Sequence, residues 1–393
     1  MQRSDAPDWL NPLIDAMQRA QGGLLQALHG LGLTGTVDGQ PAWPWALRLS
    51  GENLLIDLGQ ARALLWSLAA LAAATVLVAL ACWARRMRWQ AMAGAALALA
   101  LAPWPRADLI LVPAHPTSLH ISPTGFSVES IAHGSQAYAR HCAACHGADG
   151  RGLGPLAARQ PVWPPSFTSP LLWRRADGEL LWAILHDPRP VASAAGMQPH
   201  GLAAQLSSAD AWAMIDFMKA QAAGQMLQIA GAWPYPVGLP DMAVRCQGQP
   251  ERRLSEWQSR RQRLRLVAGA TGVQEDPRLV SLQLLPQDMQ PGAAGAQALD
   301  CAVTDPRAWQ AMALLSGSAQ LQGMQWLGDR GGWLRALSKP GAQGLSEEDL
   351  VCRTETGGKA AAPVSSPLAD GLGALIARMD AEPVRFIKGG FVH

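Results

Sequence analysis

Residues Ala63 to Trp83 read ALLWSLAALAAATVLVALACW, 21 residues without a charge. As a helix rising about 1.5 Å per residue, this run spans about 30 Å, the thickness of a bilayer core. A buried helix of that length in a soluble core would show a polar face, and this one has none. Trp66 and Trp83 lie near its ends, where interfacial aromatics sit. Arg85, Arg86 and Arg88 follow, and then a second apolar stretch, Ala91 to Trp104, closed by Pro103 and Pro105. Extended back to Trp89, the shorter stretch could cross with snorkelling and local thinning, the alternative being one crossing followed by a short re-entrant or interfacial helix. The pattern predicts a transmembrane helical hairpin over 61–106. Three arginines in the turn predict a cytoplasmic loop, which leaves both flanking parts of the chain outside. The opening MQRSDAPDWLNPL has no signal-peptide hydrophobic region, so the hairpin itself is expected to direct insertion.

At 393 residues the chain is too long for one ordinary domain. Charged residues are only 16% of it, in keeping with a membrane segment. The net charge of +2 supplies no basic field, which excludes nucleic acid as an expected partner. Residues 1–60 read as an extracytoplasmic amphipathic segment, with apolar positions from Leu10 to Leu31 at roughly helical spacing. Residues 107–125 read as a linker.

The most specific chemistry lies at 141–146, HCAACH. Cys142, Cys145 and His146 form C-x-x-C-H, which on one helical turn sets two thiols at one porphyrin edge and a histidine at the iron. Thioether formation with the two vinyl groups needs an extracytoplasmic compartment, in agreement with the orientation drawn from the arginines. A thioredoxin-like dithiol would want a strand before it and a long helix after it. Here Val128 to Ala139 reads as a helix entering the motif, and Gly147 breaks the chain just behind it.

The stretch SPTGFSVESIAHGSQAYARHCAACHGADGRGLGP resembles the class I cytochrome c domain, of the kind fused to copper-resistance D family membrane proteins. The resemblance implies an all-α domain over 126–228. Its first helix would carry Gly134 and Tyr138, and its last helix, Ser208 to Ala222, would cross the first through Trp212 and Phe217. It implies that the Pro155 carbonyl, in the Gly154-Pro155 turn, accepts the Nδ1 proton of His146. It implies a methionine on the opposite haem face, and Met197 in Ala195-Gly196-Met197-Gln198-Pro199-His200 matches, 51 residues beyond His146. Met214, Met218, Met226 and His200 compete for that position. A middle helix is expected from Asp177 to His186, capped by the Asp177 side chain, with Trp182 and Leu185 lining the haem crevice. Trp163, in PVWPPSF, is expected over a propionate or the lower haem edge.

From about Pro234 strand-like and helical pieces alternate. Strands are expected at 241–247, 264–269, 279–285, 299–303, 324–327 and 333–337, and helices at 250–259 and 306–315. The order, with a hairpin about Asp329-Arg330-Gly331-Gly332, resembles a thioredoxin-like domain over 234–345. Its redox motif is missing: TGVQEDPR, from Thr271 to Arg278, is too short for the redox helix and holds no cysteine. Cys246, Cys301 and Cys352 lie far apart in sequence, and spacing does not pair them. Residues 346–393 read as a helix from Leu368 to Met379 and a tail ending at His393.

The expected fold is therefore mixed and multidomain: a transmembrane hairpin, an all-α cytochrome c domain, and an α/β thioredoxin-like domain lacking its redox motif. The expected function is one-electron transfer on the periplasmic side of a bacterial inner membrane by a single covalently attached haem c. The expected partners are the lipid bilayer, a redox protein and a membrane complex such as a terminal oxidase or other respiratory complex. The haem domain is expected to fold apart from the C-terminal platform. The alternative reading is a haem-containing copper-handling or copper-resistance accessory protein.

Overall fold

The computed structural model describes residues 9–51, 53–55, 57–84, 86–193, 196–269, 273–286, 299–342, 344–352, 370–384 and 387. Arg85, Ala195, Thr271, Leu368 and the stretch ending at His393, all singled out above, lie outside them. The chain divides into two compact units, one mainly of residues 6–119 and the other mainly of residues 120–386.

In the first unit α1 (Leu10–Gly30) buries Leu10, Ile14, Met17 and Leu25, an i, i+3/i+4 stripe. A hairpin of β1 (Thr36–Val37) and β2 (Gln40–Pro41) follows, and then β3 (Leu47–Leu49). Helix α2 (Leu58–Trp83) is capped by Asp57, whose carboxylate accepts from Gly59 and Gln60. It is long and apolar enough to cross a membrane, with a mean hydropathy of 2.3 and little of its surface covered. Helix α3 (Arg88–Leu101) folds back along it. The hairpin closes through Gly94 against Leu77 and through the Ser67 hydroxyl, which donates to the Pro103 carbonyl at 3.1 Å. The segment expected to be a plain linker instead forms α4 (Ala107–Ile110) and β4 (Leu111–Pro113), and β4 pairs antiparallel with β3.

The second unit begins with α5 (Val128–His141), α6 (Ala143–His146), α7 (Pro170–Arg174) and α8 (Asp177–His186). The hairpin β5 (Pro190–Ser193) and β6 (Gly196–Pro199) leads into α9 (Ser208–Ala230). Asp177 is the first residue of α8 and does not cap it; its carboxylate takes the Lys219 ammonium of α9 at 2.8 Å. Helices α5 and α9 cross at Gly134, where a Cβ would stand 1.9 Å from the Ala213 carbonyl oxygen. Tyr138 and Phe217 meet beside the crossing, with ring centroids 5.1 Å apart.

The remaining strands are β7 (Val237–Gly238), β8 (Ala243–Cys246), β9 (Arg252–Arg253), β10 (Leu264–Ala268), β11 (Val280–Leu284), β12 (Cys301–Val303), β13 (Gln325–Gly328) and β14 (Trp333–Leu337). They form one sheet in the order β7-β14-β13-β10-β11-β12-β8-β9. Strands β10, β11 and β12 run parallel, and the other neighbours pair antiparallel. Helices α10 (Leu254–Ser259), α11 (Ala308–Ser316) and α12 (Gly371–Ala381) complete the unit. Between β10 and β11 the described residues 273–279 contain no helix. Cys246 and Cys301, opposite one another on β8 and β12, form a disulfide. Register rather than sequence spacing brings them together.

One hydrophobic core joins the helices of 128–226 to the sheet, from Val128 of α5 to Cys352, and a separate smaller cluster packs Leu375, Ile376 and Met379 of α12 with Leu327 and Ala336. The hinge of the larger core is α9, whose C-terminal half packs on α11. A Cβ at Gly224 would lie 1.9 Å from the Leu314 carbonyl oxygen, and the Gln228 amide donates to the Gly317 carbonyl. The long last helix of the haem domain thus packs into the expected platform as well.

Candidate functional site

Helix α5 ends at Cys142 and α6 starts there, so the motif turns one tight corner. The amides of Cys145 and His146 both donate to the Cys142 carbonyl, at 3.1 and 2.9 Å. That turn puts Cys142, Cys145 and His146 on the wall of one cavity of about 520 Å³, a size suited to a small organic ligand. Neither cysteine is in a disulfide. Burial, with a smaller contribution from Cys145, pushes the Cys142 thiol up to about 12, and burial raises Cys145 as well. Both are protonated thiols at neutral pH.

The Nδ1 atom of His146 lies 3.3 Å from the Pro165 carbonyl oxygen. A carbonyl only accepts, so Nδ1 carries the hydrogen and Nε2 keeps its lone pair. Burial lowers the His146 pKa; the Pro165 bond opposes this and the nearby His200 adds to it. The ring is therefore held neutral, in the form that binds a metal. The Phe167 ring stacks beside it at 5.5 Å.

The acceptor expected at Pro155 is thus Pro165. Gly154 passes so near α6 that a Cβ would meet the Ala144 carbonyl oxygen at 2.5 Å, and Pro155 behind it is exposed. The proline-rich run then returns beneath the motif. Gly152, at φ +78°, admits the Pro164 carbonyl oxygen 2.2 Å from where a Cβ would stand, and the Phe167 amide donates to the Gly150 carbonyl.

Trp163 lines the cavity at its rim and is largely exposed. Trp182 does not line it. Leu180, Ala183, Ile184 and Asp187 do, and these share one side at helical spacing, while Trp182 faces elsewhere and packs on the His186 ring. Leu185 is buried in the core instead. Met197 is 58% exposed and is not among the lining residues, whereas its neighbour Gln198 is. Successive strand residues point to opposite sides, and on β6 the cavity side belongs to Gln198. His200 lines the cavity, as do Met214 and Met218 of α9.

Sequence reasoning missed Gln160. Its side-chain amide donates to the Cys145 sulfur at 3.1 Å and to the Ala192 carbonyl at 2.9 Å, and its oxygen accepts from the Ala192 amide. It ties the motif to β5 on the far wall. Only its place in a loop returning to the motif could have signalled this.

Residues 131–222 match the family model described as cytochrome c. This segment is a cytochrome c domain. No curated protein matches the chain. Four solved chains match, among them one of the reducing HAO-like protein complex of Kuenenia stuttgartiensis, at 20% identity and a TM-score of 0.21. That match covers 32% of this chain and 58% of the other.

A cytochrome c domain implies covalently bound haem c. The cavity fits it: two unpaired thiols and one imidazole with a free Nε2 share a wall that is otherwise mostly apolar. Cys142 and Cys145 would carry the thioethers, and His146 would bind the iron through Nε2.

Proposed function

We propose that this protein is a membrane-anchored monohaem c-type cytochrome that passes single electrons on the periplasmic side of a bacterial inner membrane, docked to a membrane complex such as a terminal oxidase or other respiratory complex. The observation that carries the reading is the cavity that gathers Cys142, Cys145 and a tautomer-fixed His146. Haem c supplies reversible one-electron chemistry when bound. The chain's own residues do the rest. The Pro165 carbonyl sets the His146 tautomer and Phe167 stacks beside the ring. Gln160 holds the wall at Cys145, and the apolar lining keeps water from the interior. At the mouth, Trp163, Val162 and Leu171 are exposed, leaving an apolar rim for a redox partner.

The hairpin of α2 and α3 supports anchoring, and Arg86 and Arg88 in its turn support a cytoplasmic loop with the haem outside. The Cys246–Cys301 disulfide independently favours an oxidising compartment. The mixed sheet, with a central parallel set, an antiparallel hairpin and helices packed on it, supports a thioredoxin-like platform without a dithiol. The copper-handling alternative wants a cluster of ligands outside the haem site, and no group of three or more His, Cys, Asp or Glu residues that could hold a metal occurs among the described residues.

Co-expression with the haem c maturation machinery tests the reading. One covalent haem per chain, reversibly reduced and recovered in the membrane fraction, is expected, together with co-purification of a respiratory complex from detergent. A chain that matures without covalent haem, or one fully recovered in the soluble fraction, overturns it.

A further inference from the structure

We propose that His200 is the second axial ligand of the haem iron, so that the site is bis-histidine; this rests on the reading above that the cavity holds haem c.

Of the three histidines on the cavity wall, His146 and His200 are prepared in the same way. Each Nδ1 faces a backbone carbonyl at 3.3 Å, Pro165 for His146 and Ala183 for His200. Since a carbonyl only accepts, His200 too carries its hydrogen on Nδ1 and keeps the Nε2 lone pair free. A hydrogen bond to the far ring nitrogen is the usual way a protein fixes the orientation of a metal-binding imidazole and strengthens it as a ligand.

The main chain about His200 is fixed as firmly as its ring. The amides of His200, Gly201, Leu202 and Ala203 donate to the carbonyls of Arg189, Asp187, Ile184 and Leu185, at 2.9 to 3.0 Å. Gly201 lies so close to the end of α8 that a Cβ would stand 2.7 Å from the Leu185 carbonyl oxygen. The His200 backbone is thus zipped onto α8, the helix whose Leu180, Ala183 and Ile184 line the cavity.

The sulfur candidates lack this preparation. Met197 stands largely exposed on β6, on the side away from Gln198. Met214 and Met218 reach the wall, but they are 0% and 8% exposed and are built into the α9 core with Tyr138 and Phe217. Ligation by either would withdraw a packed core side chain.

Two imidazoles hold iron at a lower potential than an imidazole and a thioether. The protein is thereby matched to a donor or acceptor at the lower end of a respiratory chain.

The test uses the full-length, detergent-purified, oxidised holoprotein, read by absorption, low-temperature EPR and near-infrared magnetic circular dichroism. The expected wild type is low-spin, carries the near-infrared signature of two nitrogen ligands, and lacks the far-red sulfur-to-iron charge-transfer band. His200→Ala retains covalent haem but turns largely high-spin, and added imidazole restores the low-spin spectrum. Met197→Ala leaves the spectrum unchanged. His200→Met gains the far-red band and shifts the midpoint potential upward. A far-red band in the wild type overturns the proposal, as does a His200→Ala spectrum identical to wild type. Should His200→Ala fail to accumulate, the wild-type spectrum alone decides. Absence of covalent haem strikes at the functional reading instead, which separates the two failures.

Discussion

Gly134 is the residue on which the haem domain closes. A methyl group there would stand 1.9 Å from the Ala213 carbonyl oxygen, against backbone that no side-chain rotation can relieve. Gly134→Ala is expected to destabilise the protein by about 3 kcal/mol, the upper end for overpacking, and to cut the yield of haem-loaded protein; thermal melts and the haem-to-protein absorbance ratio measure both. Gln160→Ala removes two bonds to Ala192 and one to Cys145. It is expected to cost about 2 kcal/mol while haem stays attached, with faster hydrogen exchange at Ala192 as the specific readout. At this scale the sequence was informative where chemistry is local, as in C-x-x-C-H, whose three residues lie on one turn, while Gly134 followed from the resemblance. Pro155 failed as acceptor because the choice depends on how a loop of some twenty residues returns to the motif. Trp182 failed because helical phase, not residue type, decides which side lines a cavity.

Helix α9 shows what an element can conceal. Its start was legible: Ser207 accepts from the Asp210 amide, and the Asp210 carboxylate accepts in return from the Ser207 amide. The Ser207 hydroxyl and, next to it, His133 hold Asp210 at about 2, against a small opposing effect of burial. The folded pKa is depressed, so the stabilisation is whole above the ordinary carboxylate value of about 4 and is lost as pH falls through about 2. The difference in melting temperature between wild type and Asp210→Asn should therefore close across that acid window; a constant difference would count against this coupling. Ser207→Ala is expected to cost about 1 kcal/mol at neutral pH. The end of α9 was not legible. The helix was expected to end at Ala222, yet it runs on to Ala230, with Gly224 at the place where α11 packs against it.

In the whole molecule, six of the eight described strands of the C-terminal sheet lie close to their expected positions, whereas the two-residue strands β7 and β9 were not expected, and β9 occupies the start of the stretch expected as a helix over 250–259. Their neighbours across the sheet were not legible, and the pairing of Cys246 with Cys301 came with them. The unforeseen feature is the core shared by the haem helices and the sheet. A fragment of residues 125–228 would uncover the α9 face carrying Ala220, Ala223 and Met226, all buried in the intact protein. It is expected to aggregate or to bind haem in poor yield, which expression of that fragment beside the full chain would show. In intact cells, Met87→Cys, placed in the arginine turn, should resist membrane-impermeant thiol reagents until the inner membrane is opened; labelling without opening would reverse the proposed orientation.

A haem protein of this construction reports on parts of itself that never approach the haem. The first half of α9 lines the cavity, and the second half is covered by α11, which the gene encodes far downstream of C-x-x-C-H. A nonsense codon or frameshift in that distant region would leave Cys142, Cys145 and His146 in place and is still expected to lower the yield of haem-loaded protein. Haem content would then report on the integrity of a region far from the haem in sequence.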